Sequence, residues 1–589
     1  MSPRRAMRSR FAFIAGCVVA LGLPALAQQA TQPQPTPAPV PAQPSNTVAP
    51  QGGFLSPVPG GGEGAVQELT SEVLPPPPPP IEYPAHARRD PWVVGQLDPV
   101  QIGLGSDPWG SASGTFLSTL MRRMETPLAS RWAHIALRNA LLARVRAPRA
   151  VNPVDWAAER AWLLLRMGEA DAARMIVAGV DTDRFTPKMY QVGVQSALAT
   201  ADPPALCPLQ EGIRKHDAGI RALVSAMCAS LSGEPESASA QIDDARRRGR
   251  IGGIDLTLAE KVVGAGSDTG RAATIEWEPV DRLTAWRFGL ATATGLVPPD
   301  RLMNSASTQL RAFQARAPLL APANRLESAR IAAGLGVFSS QSMIDLYSAI
   351  YDATDPSDLP GTDAWQVRQA FVGKDRDAKV AAMRRLLDSA KDPLQREAMR
   401  ALLGRAATLI APDPALEADA PELIAAMLAG GFDRAAARWI AAVRRMDGEA
   451  GDRAWAMLAL SAPDARGVDL SLGRITGFIG RDKSPGKARS ALLVGGLAGL
   501  GRIDAAAAES LSRRFGLGVG RRTSWTHMID SAAARGQAGT VLVLAGTGMQ
   551  VRSFADVPGS HLYRIVAALV RTRQDFTARM ISAEALART

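Results

Sequence analysis

Apolar residues recur every three or four positions along most of the chain from about Thr115 to Thr589. Leu, Ala, Met and Arg follow this spacing in residues 128–145, 155–167, 378–387 and 561–570. Such a period places the apolar side chains on one face of an α-helix. Alternating runs of β-branched residues are nearly absent. The pattern therefore predicts an all-α body.

Many of these helices have a recognisable start. A side-chain oxygen acceptor followed by Pro fits the first turn of a helix, because the oxygen caps free amides and Pro lacks the amide that would stay unpaired there. This pair occurs at Thr186-Pro187, Asp202-Pro203, Asp392-Pro393 and Asp413-Pro414. We expect a helix to begin at each.

A recurring junction connects the helices in pairs. An apolar helix ends at Gly, a short polar stretch follows, and an Ala-rich helix begins. The glycines are Gly168, Gly233, Gly431, Gly501 and Gly536. Gly can adopt the left-handed conformation that ends a helix, and Ala allows the next helix to pack closely. The intervals lie near multiples of the roughly 34-residue tetratricopeptide unit.

On these glycines and alanines, about half of the chain resembles tetratricopeptide-like helical hairpins. The resemblance implies an α-solenoid with a ligand-binding concave face, but no ligand residues carry over because the full repeat motif is not met. The body also resembles uncharacterised exported helical proteins of alphaproteobacteria, some labelled antifreeze polyprotein, in segments 342–348 and 578–586. No Thr array typical of ice binding is present.

The N-terminus has the three parts of a signal peptide. Four arginines precede an apolar run from Phe11 to Ala27, and Ala25-x-Ala27 provides small residues for cleavage between Ala27 and Gln28. We predict a signal peptide over residues 1–27 and export to the periplasm. The alternatives are a lipoprotein attached through Cys17, a twin-arginine signal and an uncleaved anchor. No later segment is long and apolar enough to span a bilayer.

Residues 28–114 have a different composition, rich in Pro and Gly. We predict a largely disordered linker here, with Pro75 to Pro80 as its most extended part. Near its end, Asp-Pro-Trp occurs twice, with Trp92 and Trp109 as the aromatic residues. These side chains either fasten the linker to the adjacent domain or dock on a partner.

Helical repeats are predicted over 115–355 and 356–589, because Asp355-Pro356 and the following Pro and Gly residues interrupt the helical pattern. Whether the two blocks form one continuous solenoid stays open. Cys207 and Cys228 lie at similar distances on either side of a predicted turn near residue 217. An antiparallel hairpin would bring them together, so we predict a disulfide, with two buried thiols as the alternative.

No motif assigns a reaction. The five histidines are scattered without metal-ligand spacing, and no cofactor is expected. The stretch from Gly480 to Lys487 differs from a phosphate-binding loop, since its gap is one residue too long and Ala488 replaces the Ser or Thr that binds magnesium. The net charge is +11, with basic runs at 246–250 and 521–522. Few aromatic residues accompany these runs, so we expect solvated helix ends rather than nucleic-acid binding.

These observations favour a periplasmic, non-catalytic helical-repeat scaffold that binds a protein or an anionic cell-envelope partner. The alternative is a peptidoglycan-active enzyme resembling lytic transglycosylases, some of which carry helical superhelices. That resemblance rests on Glu509-Ser510 followed by Gly546-Thr547-Gly548-Met549-Gln550, and it implies Glu509 as the general acid.

Overall fold

A computed structural model describes residues 84–214, 218–249, 251–267 and 274–589 of the chain. The predicted signal peptide, the cleavage site between Ala27 and Gln28, Cys17 and the linker as far as residue 83 lie outside these residues.

The regular secondary structure of the described residues is almost entirely helical, which confirms the predicted all-α class. The first fourteen are α1 (Gly114–Arg123), α2 (Arg131–Leu142), α3 (Pro153–Arg166), α4 (Ala170–Ala178), α5 (Pro187–Ala199), α6 (Gln210–Arg214), α7 (Ala218–Leu231), α8 (Pro235–Arg248), α9 (Gly253–Ser267), α10 (Ala285–Ala293), α11 (Asp300–Asn304), α12 (Thr308–Ala315), α13 (Pro322–Leu335) and α14 (Ser340–Ala353).

The chain continues with α15 (Asp363–Val372), α16 (Arg376–Asp388), α17 (Pro393–Ala407), α18 (Ala420–Ala429), α19 (Asp433–Ala437), α20 (Ile440–Val443), α21 (Gly448–Ser461), α22 (Leu472–Arg481), α23 (Ala488–Gly499), α24 (Ala505–Phe515), α25 (Ser524–Ala534), α26 (Ala538–Gly548), α27 (Gly559–Arg571) and α28 (Asp575–Ala587). Short 3-10 helices cover Ala85–Ala87, Thr182–Arg184, Pro203–Leu209, Leu359–Gly361, Pro414–Leu416, Pro485–Lys487 and Phe554–Asp556. Two strands, β1 (Val93–Val94) and β2 (Val145–Arg146), pair antiparallel.

At each of the four predicted starts, the residue before Pro caps a helix. Two of these helices are α-helices and two are 3-10 helices. The side chains of Thr186 and Asp392 accept the backbone N–H groups that begin α5 and α17. Asp202 and Asp413 instead begin 3-10 helices. In the first of these, Pro208 has no amide to donate to the carbonyl four residues earlier, so an α-helix cannot continue through it.

The predicted junction glycines all lie at hairpin bends. Gly168, Gly233, Gly431, Gly501 and Gly536 have positive φ angles between 68° and 88°. Each joins two helices that pack against each other, namely α3 with α4, α7 with α8, α18 with α19, α23 with α24 and α25 with α26. The helical-hairpin repeat is therefore confirmed, since each left-handed glycine reverses the chain into its own partner helix.

The segment from residue 84 to residue 113 packs on the helices, whereas a largely disordered linker was predicted up to residue 114. Trp109 is 1% exposed and meets Trp156 of α3 edge to face at 5.2 Å. The backbone N–H of Gly539, in α26, donates to the carbonyl of Pro108 at 2.9 Å. Trp109 therefore fastens this segment to the body, which was one of the two predicted roles. The apolar ring and its close neighbours hold the segment in place, although its regular structure is limited to one short 3-10 helix and β1.

The first helices contact the last ones. Besides its sequence neighbours, α2 packs against α26 and α28, and α18 packs against α21 and α28. One apolar core contains side chains of α1 to α5 together with side chains of α12 to α28. The predicted boundary at residue 355 falls between α14 and α15, which pack against each other. The repeats thus contact more than their sequence neighbours.

Buried arginines bind backbone carbonyls throughout this body. Arg160 is almost fully buried and donates to the carbonyls of Val94 (2.9 Å) and Ala143 (2.9 Å), and burial lowers its pKa to about 9. Arg131 donates to Ala333 and Ala429, at the ends of α13 and α18, and Arg502 donates to the end of α21. A guanidinium satisfies the carbonyls that a helix end leaves unpaired. Part of the excess positive charge is therefore used inside the fold.

A second apolar core surrounds the two cysteines. It contains side chains from α5 to α10, including Leu206, Leu223 and Met227. Cys207, in the Pro203–Leu209 helix, and Cys228, in α7, are disulfide-bonded with their Cα atoms 5.6 Å apart. The two segments pack together, as the hairpin argument required.

Candidate functional site

A groove with two adjoining lobes lies along α20, α21 and α22. The first, the aromatic lobe, has a volume of about 460 Å³. Its apolar wall consists of Ile440, Val443, Met446, Trp455, Leu458 and Val468. The second, the cationic lobe, has a volume of about 330 Å³. Its basic side chains are Arg453, Arg481, Lys483 and Arg489. The lobes share Gly448, Asp452 and Arg481, so they form one continuous depression.

Helical periodicity positions the side chains between the lobes. Asp452 and Trp455 are three residues apart on α21, so both project from the same face. Arg474 and Arg481 are seven residues apart on α22 and likewise share a face. The guanidinium of Arg474 lies 4.4 Å from the centre of the Trp455 ring, and the indole N–H of Trp455 donates to the carbonyl of Asp469 at 2.9 Å. The floor of the aromatic lobe is thereby held in one orientation.

Asp452 connects the two helices. Its carboxylate accepts from Nη1 of Arg474 at 2.7 Å and from Nε and Nη2 of Arg481 at 2.7 and 2.9 Å. Burial raises the pKa of Asp452, but the hydrogen bonds from the two guanidinium groups outweigh it, so the pKa lies below its ordinary value. Asp452 therefore stays ionised and its charge is already matched.

The cationic lobe brings together basic groups from three elements. Arg453 belongs to α21, Lys483 to the loop after α22, and Arg489 to the first turn of α23. Burial lowers the pKa of Arg453, the carboxylate of Glu422 raises it, and the guanidinium groups of Arg400 and Arg489 lower it further. The net pKa lies below the ordinary arginine value. Burial is the largest cause of this shift, and Glu449 opposes it together with Glu422.

Two acidic groups of this lobe, Asp452 and Glu449, pair with its own arginines, and the third, Asp482, caps a helix. Asp482 accepts the backbone N–H groups of Ser484 at 2.8 Å and Ser490 at 2.9 Å, so it caps the start of α23. Glu449 is well exposed and lies 3.6 Å from Arg489. In the described part of the chain, Lys483 makes no ion pair. The lobe consequently presents one cation, Lys483, that no carboxylate of the described residues neutralises.

The loop from Gly480 to Lys487 borders the cationic lobe but is not a phosphate-binding loop. It follows a helix, α22, rather than a strand. Lys487 turns away and donates from Nζ to the carbonyl of Ile479 at 2.7 Å. Lys483 lines the lobe instead.

The geometry favours a solvated helix position for Glu509 over a general acid. Glu509 lies on α24 with a side chain 62% exposed, and Arg513, one turn later, contacts it at 3.2 Å. A general acid needs an environment that retains its proton near neutral pH. The other half of the resemblance is packed into the core: Gly546 lies against Met124 and Leu137.

Of the two predicted basic runs, the one at 246–248 lies at the end of α8, whereas Arg521 and Arg522 lie in the loop between α24 and α25 and not at a helix end. Arg247 and Arg248 pair with Asp244 one turn earlier in α8, and Arg246 pairs with Glu260 of α9. These pairs match the prediction of a solvated, locally neutralised helix end. The residue at 250 lies outside the described residues.

No known protein family, curated protein or solved structure matches the chain. Among the described residues, no helix is both long and apolar enough to cross a membrane. Within the same part of the chain, no three His, Cys, Asp or Glu side chains are grouped to hold a metal ion. The buried His134 instead bonds Glu169, with 3.0 Å between Nε2 and Oε1.

Proposed function

We propose that this protein is an exported, non-catalytic helical-repeat binding protein that engages a protein partner in the cell envelope. The observation that carries this proposal is the two-lobed groove on α20, α21 and α22. It combines an apolar wall with a rigidly held Trp455 and a charged end, which is the composition of a surface that recognises a polypeptide segment.

Export is supported by the arrangement at the N-terminus and by the paired cysteines. The basic residues before Phe11, the apolar run and Ala25-x-Ala27 fit a signal peptide with a periplasmic destination. The bond between Cys207 and Cys228 fits an oxidising compartment. Periplasmic fractionation should release a mature chain, and its mass should be that of a chain that begins at Gln28.

Partner binding is tested by site-specific photo-cross-linking. A photoreactive amino acid replaces Val468, which is half-buried in the aromatic lobe, in the full-length chain expressed in its own cells. The matched control carries the same group at Leu409, an apolar residue 54% exposed outside the groove. We expect a discrete cross-linked protein from position 468 and not from position 409.

Equal labelling at both positions, or no adduct at 468, contradicts binding through the groove. An adduct of envelope glycan rather than protein identifies the anionic envelope polymer as the partner instead.

A further inference from the structure

The groove offers two kinds of contact side by side. Its aromatic lobe has an apolar wall, and its cationic lobe has four basic residues, Arg453, Arg481, Lys483 and Arg489, against three acidic ones, Glu449, Asp452 and Asp482. The aromatic lobe is also lined by Arg444, Asp447, Asp469 and Arg474. A ligand that spans both lobes therefore meets an apolar wall edged by charged groups at one end and an excess of one positive charge at the other.

Carboxylates already pair with most of this positive charge, and Lys483 is the exception. Asp452 is bonded by Arg474 and Arg481, and Asp482 is bonded by the amides that begin α23. Arg453 lies 3.5 Å from Glu422, but that carboxylate is shared with Arg400 at 2.9 Å and Arg396 at 3.4 Å. Arg489 lies 3.6 Å from Glu449 and donates from Nη2 to the carbonyl of Thr589 at 2.8 Å. In the described part of the chain, Lys483 is therefore the basic residue of this lobe that pairs with no carboxylate.

Two features point to a carboxylate on a peptide. The guanidinium fork of Arg481 already holds Asp452, so the ammonium of Lys483 is the cation left to pair with the carboxylate of a ligand. The lobes share Gly448 and therefore adjoin each other. An extended segment advances about 3.3 Å per residue, so one of its apolar side chains can enter the aromatic lobe while a nearby acidic side chain enters the cationic lobe.

We propose that the cationic lobe recognises an Asp or Glu side chain of the partner, next to an apolar side chain that enters the aromatic lobe. This inference rests on the proposed function, because it specifies the chemistry of the segment that the groove binds. In this arrangement Lys483 supplies the charge, and Ile440 and Val468, the half-buried side chains of the apolar wall, supply the apolar contact.

The test uses a displayed library of random 12-residue peptides, selected on the disulfide-bonded mature chain. We expect the selected sequences to be enriched in Asp or Glu beside an aliphatic or aromatic residue. The same selection on Lys483→Gln should lose the acidic preference and keep the apolar one. Lys374→Gln removes an exposed lysine, 86% accessible, outside the groove, and should select the same acidic sequences as the unaltered chain.

Calorimetric titration of one selected peptide then measures the contribution of the charge. Replacing its acidic residue by the amide should weaken binding about fivefold, as for a partly exposed ion pair. Lys483→Gln should cause a similar loss, Lys483→Arg should retain affinity, and raising the salt concentration should weaken the acidic peptide only.

The outcomes separate this inference from the proposed function. Selected peptides without acidic residues, or an acidic peptide indifferent to Lys483→Gln, overturn the inference. Inorganic phosphate that displaces the peptide at equal concentration also overturns it, since the lobe would then bind any oxyanion. In each case a cross-link at position 468 still supports binding through the groove, whereas its absence contradicts the proposed function itself.

Discussion

The hydroxyl of Ser130 donates a 2.6 Å hydrogen bond to Oε2 of Glu584, although 454 positions separate the two residues in the chain. Ser130 caps α2, and Oε1 of Glu584 also accepts the backbone N–H of Arg131 at 2.7 Å. Arg588, one turn after Glu584, contacts the same carboxylate at 2.8 Å. The last helix thus completes the start of the second one, and burial raises the pKa of Glu584.

Glu584→Ala should therefore destabilise the whole body. Its removal leaves the Ser130 hydroxyl and the backbone amides of Arg131 and Trp132 without their buried acceptor, at a cost of about 3 kcal/mol. The measurement is the denaturant midpoint followed by circular dichroism. Glu509→Ala is the matched control, because it removes an exposed helical carboxylate, and it should leave the midpoint unchanged. Equal midpoints for the two variants would contradict the role given to Glu584.

The burial of Trp109 indicates that the stable body begins well before residue 115. Trp109→Ala should lower the free energy of unfolding by about 4 kcal/mol, because a fully buried ring against Trp156 and Gly539 is replaced by a cavity. Trp92→Ala is the control, since Trp92 is 37% exposed and should cost much less. A chain starting at residue 84 should melt at a higher temperature than one starting at 115. Identical melting temperatures would show that the segment does not stabilise the body.

Local chemistry explains which features could be predicted from the sequence. The glycine at 168 and the Thr186-Pro187 pair act within their own turns, so their roles are readable from a few residues. The attachment of Trp109 to α26 depends on helices more than 400 positions away. Composition predicted a linker there, because no periodic pattern marks an irregular segment that is held by tertiary contacts.

The groove could not be predicted for a related reason. Asp452, Arg474 and Arg481 have ordinary helical spacing, and the chain contains 67 basic residues. Many of these serve helix ends inside the fold, as Arg160 and Arg502 do. Only the packing of α21 against the following segments distinguishes an arginine that faces a cavity from one that satisfies a carbonyl.

Glu422 should make the body sensitive to acid. Burial raises its pKa, but the hydrogen bonds from Arg400 and the charges of Arg396 and Arg453 lower it to about 2 in the folded state, from 4.5. The folded pKa is depressed, so this contribution is present above pH 4.5 and is lost as the pH falls toward 2. It amounts to about 3 kcal/mol.

Glu422→Gln tests this contribution by urea denaturation between pH 7 and pH 3. We expect the variant to be less stable at pH 7 and the difference from the unaltered chain to shrink as the pH falls. Glu449→Gln is the control, because its side chain is 76% exposed, and it should follow the unaltered chain at every pH. A difference that stays constant with pH would mean that the Glu422 charge is not the source of the stability.

The bond between Cys207 and Cys228 should stabilise the second core selectively. It closes a loop with a sequence separation of 21, for which restriction of the unfolded chain contributes roughly 3 kcal/mol.

Reduction should lower the midpoint of the unfolding transition that Trp286, in the second core, reports. The midpoint of the larger core's transition should fall less. The Cys207→Ser/Cys228→Ser variant should have the same midpoint as the reduced protein, and added reductant should not change it. A variant that responds to reductant would contradict the bond. So would alkylation of the unreduced protein at two thiols, seen as the corresponding increase in mass. Because α7 also packs on α8 and α9, we expect the reduced protein to keep its helical content while this core loosens first.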